Sequence, residues 1–322
     1  MAFRSYRHKD PAPRRSLAGI VLLLGLLLLN PGAANAAALA QTQLQQHTVM
    51  ADGHPLAVWE KSPANPRAQL LLLHGRTWSS RPDFDLLVAG EDLSFMNSLN
   101  ALGYAVFALD ARGYGATPRD ASGWLTPNRA AEDAAIVLHW LKARSPLPLH
   151  LFGWSYGSMV SQLVVQRAPA RVASVTLFGY PFDPSRHVAA ADFTYPAQPP
   201  AITNTAANAA SDFIVPGSIS QQAIDAYVQA ALAADPVRVD FKNLHEWAEL
   251  DASSINTPTL LLEGEFDPLA PAANLSAVFS AIQHPQKWWI VLPGGDHAAL
   301  LEKPRKTMLV VMDGFMRTVD GL

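Results

Sequence analysis

"HLFGWSYGSMV", residues 150–160, is an apolar run that stops at a glycine, presents a serine, and resumes with helix-like spacing past a second glycine. Gly153-Trp154-Ser155-Tyr156-Gly157 has the form G-x-S-x-G, with a strand pattern before it and a helix pattern after it. In that setting a tight turn holds the serine in a strained backbone conformation, and the glycines remove side chains that would collide. The hydroxyl then stands at the start of a helix, where the dipole favours developing negative charge. A turn that merely happened to contain serine would need none of this, so the flanking strand and helix select Ser155 as a nucleophile.

A serine hydroxyl is a weak nucleophile near neutrality and needs a base, which in turn needs an orienting acid. His297, in "GGDHAAL", follows an apolar strand pattern and leads into a helix, which puts it on a loop at the same strand ends as Ser155. His150 lies inside a strand and reads as a packed histidine. His74 ends a strand but precedes the serine. His187 and His245 fall in or beside a less regular stretch and read as surface residues. For the acid, Asp267 in "LLLEGEFDPLAP" sits beyond a strand and before Pro268, whereas Glu263 and Glu265 are nearer that strand and read as ordinary loop carboxylates. Asp296 is next to His297 in sequence and poorly placed to reach its neighbour's ring, so it reads as a supporting residue.

Outward from these loops the pattern is regular. "HTVMADGHPLAVWEK" predicts two strands about an Asp52-Gly53 turn. "AQLLLLHG" at 68–75, "YAVFALD" at 104–110, "LPLHLFGW", "VASVTLFGY" at 172–180, "TPTLLLEG" and "KWWIVLPGG" are apolar runs of the kind expected for strands covered on both faces. Helices are expected at 91–102, stopped by Gly103; from the Thr126-Pro127 cap to about Arg144; after Ser155; and near 301–318. Alternating strands and helices imply a largely parallel sheet. The rhythm breaks between 182 and 254, which holds one clear helix pattern, "SQQAIDAYVQAALAA". We therefore expect an α/β core at 41–181 and 255–322 carrying an inserted helical cap, 182–254.

The chain resembles the α/β-hydrolase family. Ser155, Asp267 and His297 follow that family's nucleophile, acid and base order. "LLLHGRTWSS" is similar to its His-Gly oxyanion loop, and "ALDARGYGATPRD" to its Asp-x-Arg-Gly-x-Gly segment. "TPTLLLEGEFDPLAP" and "GGDHAALLEKP" resemble the usual surroundings of acid and base. The likeness covers roughly 68–181 and 255–318 and does not extend to the cap. It implies a mostly parallel central sheet flanked by helices. It also implies an oxyanion hole from the backbone N–H groups of Tyr156 and Arg76, with His74 and Asp110 holding loops. Arg76 stands where many relatives have a small or apolar residue, which leaves its side chain to face substrate, a cap carboxylate or water.

The N-terminus carries a separate signal. Arg4, Arg7, Lys9, Arg14 and Arg15 precede the apolar run Leu17–Leu29, followed by "NPGAANAAALA". This is the pattern of a secretory signal peptide, 1–36, with cleavage after Ala36 or, alternatively, Ala38 or Ala40. Thirteen helical residues reach about 20 Å against a hydrocarbon core of about 30 Å, so the run is short for an anchor. The Arg14-Arg15 pair also admits a twin-arginine route. A periplasmic or secreted protein with no membrane span after cleavage is expected.

The full chain has 24 basic and 27 acidic residues. Without the five cations named and Asp10 of the leader, 19 and 26 remain, a net charge of −7. That balance disfavours nucleic acid as a partner. With no cysteine, thiol catalysis and thiolate metal sites are excluded. Dinucleotide, P-loop and H-E-x-x-H patterns are missing, so neither cofactor nor metal is expected. A serine nucleophile argues against the aspartate chemistry of epoxide hydrolases and dehalogenases of this fold. Between Arg186 and Arg238 there is no lysine or arginine, while Phe193, Tyr195, Phe213 and Tyr227 recur, which suits a neutral, partly apolar small-molecule ester. The alternatives are an aminopeptidase or iminopeptidase-like enzyme on the same residues, and a non-catalytic binding protein on a hydrolase scaffold.

Overall fold

The apolar runs become the centre of one sheet. The structure, a computed structural model, describes residues 43–183, 185 and 189–322; the expected signal peptide and His187 lie outside the described residues. β1 (Gln45–Ala51) and β2 (His54–Lys61) form the expected hairpin. β3 (Ala68–Leu73), β4 (Tyr104–Leu109), β6 (Leu149–Trp154), β7 (Ser174–Phe178) and β9 (Thr259–Gly264) are buried along their whole length. β10 (Lys287–Leu292) closes the far edge and is half-exposed. The order across the sheet is β1-β2-β4-β3-β6-β7-β9-β10, antiparallel through β2 and β4 and parallel from β4 onward.

Successive strand side chains point to opposite faces, and helices cover both. Leu71, Phe107, Leu151, Val175 and Leu261 pack under α3 (Pro127–Arg144), α4 (Tyr156–Arg167) and α7 (Ala272–Ala281). Leu70, Leu72, Val106, Phe152 and Leu262 pack on the opposite face. There they meet α1 (Ser80–Phe84), α2 (Phe95–Ala101) and α8 (Arg305–Asp320). Each such buried aliphatic or aromatic side chain contributes about 1.5–3 kcal/mol.

Caps set the helix starts. Thr126 accepts from the Arg129 N–H, and Pro127 occupies the first helical position. Helix α2 is shorter than the expected 91–102, because Ser94 accepts from the Asn97 N–H and fixes the start there. Between β7 and β9 the chain makes α5 (Ala206–Ala210), α6 (Gln221–Ala234), several short 3₁₀ segments, and β8 (Asp240–Phe241). β8 pairs in parallel with β5 (Trp124–Leu125). Ala223, Tyr227 and Ala231 of α6 join the apolar cluster that contains Phe84, so this helix packs beside α1. No helix among the described residues is long and apolar enough to cross a membrane.

Candidate active site

Ser155 joins β6 to α4 with φ 54° and ψ −116°, a positive-φ conformation that costs a non-glycine residue on the order of 1–3 kcal/mol. The surroundings hold it there. Its N–H donates to the Phe178 carbonyl at 2.9 Å. Any side chain on Gly153 would meet the Gly157 carbonyl oxygen at 2.2 Å, and one on Gly157 would meet the Leu73 carbonyl oxygen at 2.2 Å. Both glycines are there because backbone passes against backbone.

His297 and Asp267 are brought together from the loops after β10 and β9. Nδ1 of the imidazole lies 2.8 Å from Asp267 Oδ2, and the other carboxylate oxygen accepts from the Leu269 N–H at 2.8 Å. Both residues are buried. His297 lines the same cavity as Ser155. Among the described residues no hydrogen bond joins the Ser155 hydroxyl to the ring, a looseness common where no substrate is bound.

Two residues that sequence reasoning missed fix the imidazole. The Trp154 indole N–H donates to the His297 carbonyl at 2.8 Å, with the two rings 5.7 Å apart. Gly179, at φ 55°, leaves room for the pair: a side chain there would come within 3.0 Å of the ring carbon Cε1 and 3.2 Å of the Asp267 carboxylate. Its position directly after β7, the strand between the nucleophile's strand and the acid's, was the available signal.

The other carboxylates do not reach the ring nitrogens. Asp296 is wholly buried. It accepts from the Ile214 and Val215 N–H groups at 2.6 and 2.9 Å and from the Ala298 N–H at 2.9 Å, tying the insertion to the loop that carries His297. Glu263 sits inside β9, where burial pushes its carboxyl up to about 7. Glu265 accepts from the Gly294 N–H at 2.9 Å. His245 sits in a two-turn 3₁₀ segment between β8 and β9.

The loop after β3 is held from several sides. His74 contacts the Gly75 carbonyl through Nδ1 at 2.8 Å, and its Nε2 accepts from the Ala111 N–H at 3.1 Å; burial lowers its affinity for a second proton. Asp110 accepts from the Trp59 indole and from the Ser80 and Ala116 N–H groups. The Tyr114 hydroxyl donates to the Arg76 carbonyl. The Arg76 side chain is exposed, with its guanidinium 5.1 Å from the centre of the Phe241 ring of the insertion. It therefore faces an aromatic ring and solvent, with no carboxylate partner among the described residues. Neither the Arg76 N–H nor the Tyr156 N–H has an acceptor among the described residues.

These groups border a cavity of about 600 Å³ whose wall is largely apolar, with Trp78, Met159, Phe182, Phe193 and Trp247 prominent. Three carboxyl groups also reach it: Asp83, Asp183 and Asp212. Burial raises Asp212, opposed by the charge of His297. No group of three or more potential metal ligands converges among the described residues.

The family model described as serine aminopeptidase, S33, matches residues 64–304. No curated protein sequence matches the chain. Solved structures similar in fold include a bacterial membrane phospholipase A, at 20% identity over 90% of this chain and 91% of that one, with a TM-score of 0.63. A thermophilic esterase from Thermogutta terrifontis shares 19% identity over 86% and 99%, with a TM-score of 0.58. An epoxide hydrolase from Vigna radiata shares 15% over 85% and 98%, with a TM-score of 0.60. At these identities the likeness is one of fold.

Proposed function

The chain belongs to the serine aminopeptidase S33 family of α/β hydrolases, and on that premise we propose that it is a serine hydrolase cleaving neutral, partly apolar carboxylic esters through an acyl-enzyme. The observation that carries this is the 2.8 Å contact between His297 Nδ1 and Asp267, on the wall of the cavity that the strained Ser155 enters. Asp267 holds the tautomer with the proton on Nδ1, leaving Nε2 to act as base. Ser155 Oγ attacks the ester carbonyl carbon as Nε2 takes its proton. The tetrahedral oxyanion is met by the Arg76 N–H from the loop after β3 and by the Tyr156 N–H at the start of α4. The imidazolium then protonates the departing alcohol, and a water activated by Nε2 releases the acid. The apolar wall favours neutral acyl groups.

An aminopeptidase is the second reading. Asp212 favours it, since a cavity carboxylate without a hydrogen-bond donor among the described residues suits a substrate's ammonium group. Purified protein assayed against p-nitrophenyl esters of graded length and against aminoacyl-nitroanilides separates the two. Ester turnover that survives Asp212→Asn is the expected outcome. Preference for the anilides, with KM raised by that substitution, establishes the second reading. Absence of turnover on both, with no labelling of Ser155 by a fluorophosphonate, favours the binding-protein alternative. We also propose export to the periplasm or medium, on the leader's basic start and short apolar run. A mature mass beginning near Ala37 is expected, and a full-length chain in the membrane fraction refutes it.

A further inference from the structure

One buried carboxyl at the cavity has no part in the steps above. Asp83, on α1, is wholly buried, yet it reaches the cavity wall. One of its oxygens accepts from the Gly75 N–H at 3.3 Å, and the other accepts from the Tyr227 hydroxyl of α6 at 2.9 Å. Gly75 is the residue before Arg76, whose N–H is assigned above to the oxyanion. Asp83 therefore joins the oxyanion loop on one side to the insertion's main helix on the other, across 144 residues of sequence. It is also the only side chain among the described residues that bonds to the Gly75 N–H.

We propose that Asp83 is a positioning residue, which locks the Gly75–Arg76 backbone against Tyr227 and so aims the Arg76 N–H at the oxyanion. The inference rests on the serine-hydrolase reading given above. The groups acting on it from the insertion are the carboxylates of Asp212 and Asp235 and the Tyr227 hydroxyl. On the core side it meets the Gly75 backbone, and His74 nearby is kept neutral by burial. The guanidinium of Arg76, in the same wall, is turned to Phe241. Burial pushes the Asp83 carboxyl well above the usual carboxylate range, against the hydrogen bonds from Tyr227 and Gly75, which favour the ionised form.

The test compares Asp83→Asn, Asp83→Ala and Tyr227→Phe with the parent chain, following kcat and KM on a short p-nitrophenyl ester. Asparagine keeps an oxygen for the Gly75 N–H and turns an amide N–H to the Tyr227 oxygen, so Asp83→Asn keeps kcat within about threefold. Asp83→Ala lowers it roughly 30-fold with KM within twofold, less than the ~10² lost with a whole oxyanion donor. Equal losses for asparagine and alanine overturn the proposal. If the alanine variant does not fold, Tyr227→Phe decides: a loss of about threefold in kcat at constant KM supports the coupling, and parental kcat overturns it. Ser155→Ala, run alongside, keeps the two readings apart. Turnover within about tenfold of the parent in that variant refutes the serine mechanism, whereas a Ser155→Ala slowed by roughly 10⁵ or more with indifferent Asp83 variants refutes this inference alone.

Discussion

Two serine, histidine and aspartate trios lie at opposite ends of the same sheet. At the end where β6, β9 and β10 finish are Ser155, Asp267 and His297. At the other end His150, near the start of β6, contacts Ser174 Oγ through Nδ1 at 2.8 Å, and Asp320 of α8 through Nε2 at 3.2 Å. By hydrogen bonding alone the second trio is the more complete, since no bond joins Ser155 to His297 among the described residues. Yet His150 and Ser174 are buried, and the two residues are register partners in the ladder between β6 and β7. Ser174 sits in extended strand, buried and outside the lining of the cavity at Ser155, with a following residue committed to the sheet. Ser155 has the opposite circumstances: a forced backbone, a helix start behind it and a cavity of about 600 Å³ in front. The identity of the three residues is common to both ends. Access and backbone donors are not.

The sharpest way to break this contrast is to remove each serine. Ser155→Ala is expected to lower kcat by roughly 10⁵–10⁶ while melting as the parent does. Ser174→Ala is expected to leave kcat within twofold. It costs about 1–3 kcal/mol of stability, because His150 loses its Nδ1 partner in a closed site. Steady-state kinetics with denaturant melts give both numbers, and an inactive but fully folded Ser174→Ala would erase the distinction.

The acids come next in size. Asp267→Asn should lower kcat by about 10³–10⁴ with KM little changed, since the imidazole loses the partner that sets its tautomer. Asp320→Asn, the counterpart at the far end, should leave kcat within twofold. Asp296→Asn lies between, at roughly tenfold in kcat, and it melts earlier. Its new amide faces the Ile214 and Val215 N–H groups that the carboxylate accepted, stranding buried donors. Loss of activity in Asp296→Asn with retention in Asp267→Asn would reassign the acid.

This contrast also marks how far the sequence could be read. The strands were legible because burial on both faces leaves unbroken apolar runs, and the hairpin and α3 because their turn and cap residues are local. The loops bearing Ser155, Asp267 and His297 were legible for the same reason, each following directly on such a run. Helix α7 was not: only Leu275 and Val278 are buried in an alanine- and serine-rich segment, too thin a stripe to register. The brief α1 and α5 leave even less periodicity. Asp83 and Asp212 were missed for another reason. Asp83 takes its meaning from Tyr227, and Asp212 from a wall built by distant segments, so no local spacing encodes either. The side chain of Arg76 was left open by the sequence, and Phe241, far along the chain, answers it.

The smallest expected effect concerns proton uptake at the Ser155 end of the sheet. Glu302, just beyond His297, bonds Ser218 of the insertion, and burial pushes its carboxyl up to about 7. A folded value above the unfolded one means the folded chain holds this proton more tightly. The stabilisation is complete below about pH 4 and is lost as pH rises through about 7. Melts between pH 5 and 8 should slope downward by at most about 1.4 kcal/mol per unit, and Glu302→Gln should flatten that slope. A slope unchanged in Glu302→Gln would place the proton elsewhere.

The insertion's tethers matter to anyone who would exchange it. Asp296 grips Ile214 and Val215, Asp83 grips Tyr227, and Asp235 accepts from the Ser79 and Gly115 N–H groups of two core loops at 2.8 Å each. Two of these three anchors belong to the core and one to the insertion, so a transplanted lid inherits half of each bond. Swapping 205–241 as a module would unseat the His297 loop and the Gly75–Arg76 loop together. Libraries for new specificity belong instead around Phe193, which lines the cavity apart from these tethers.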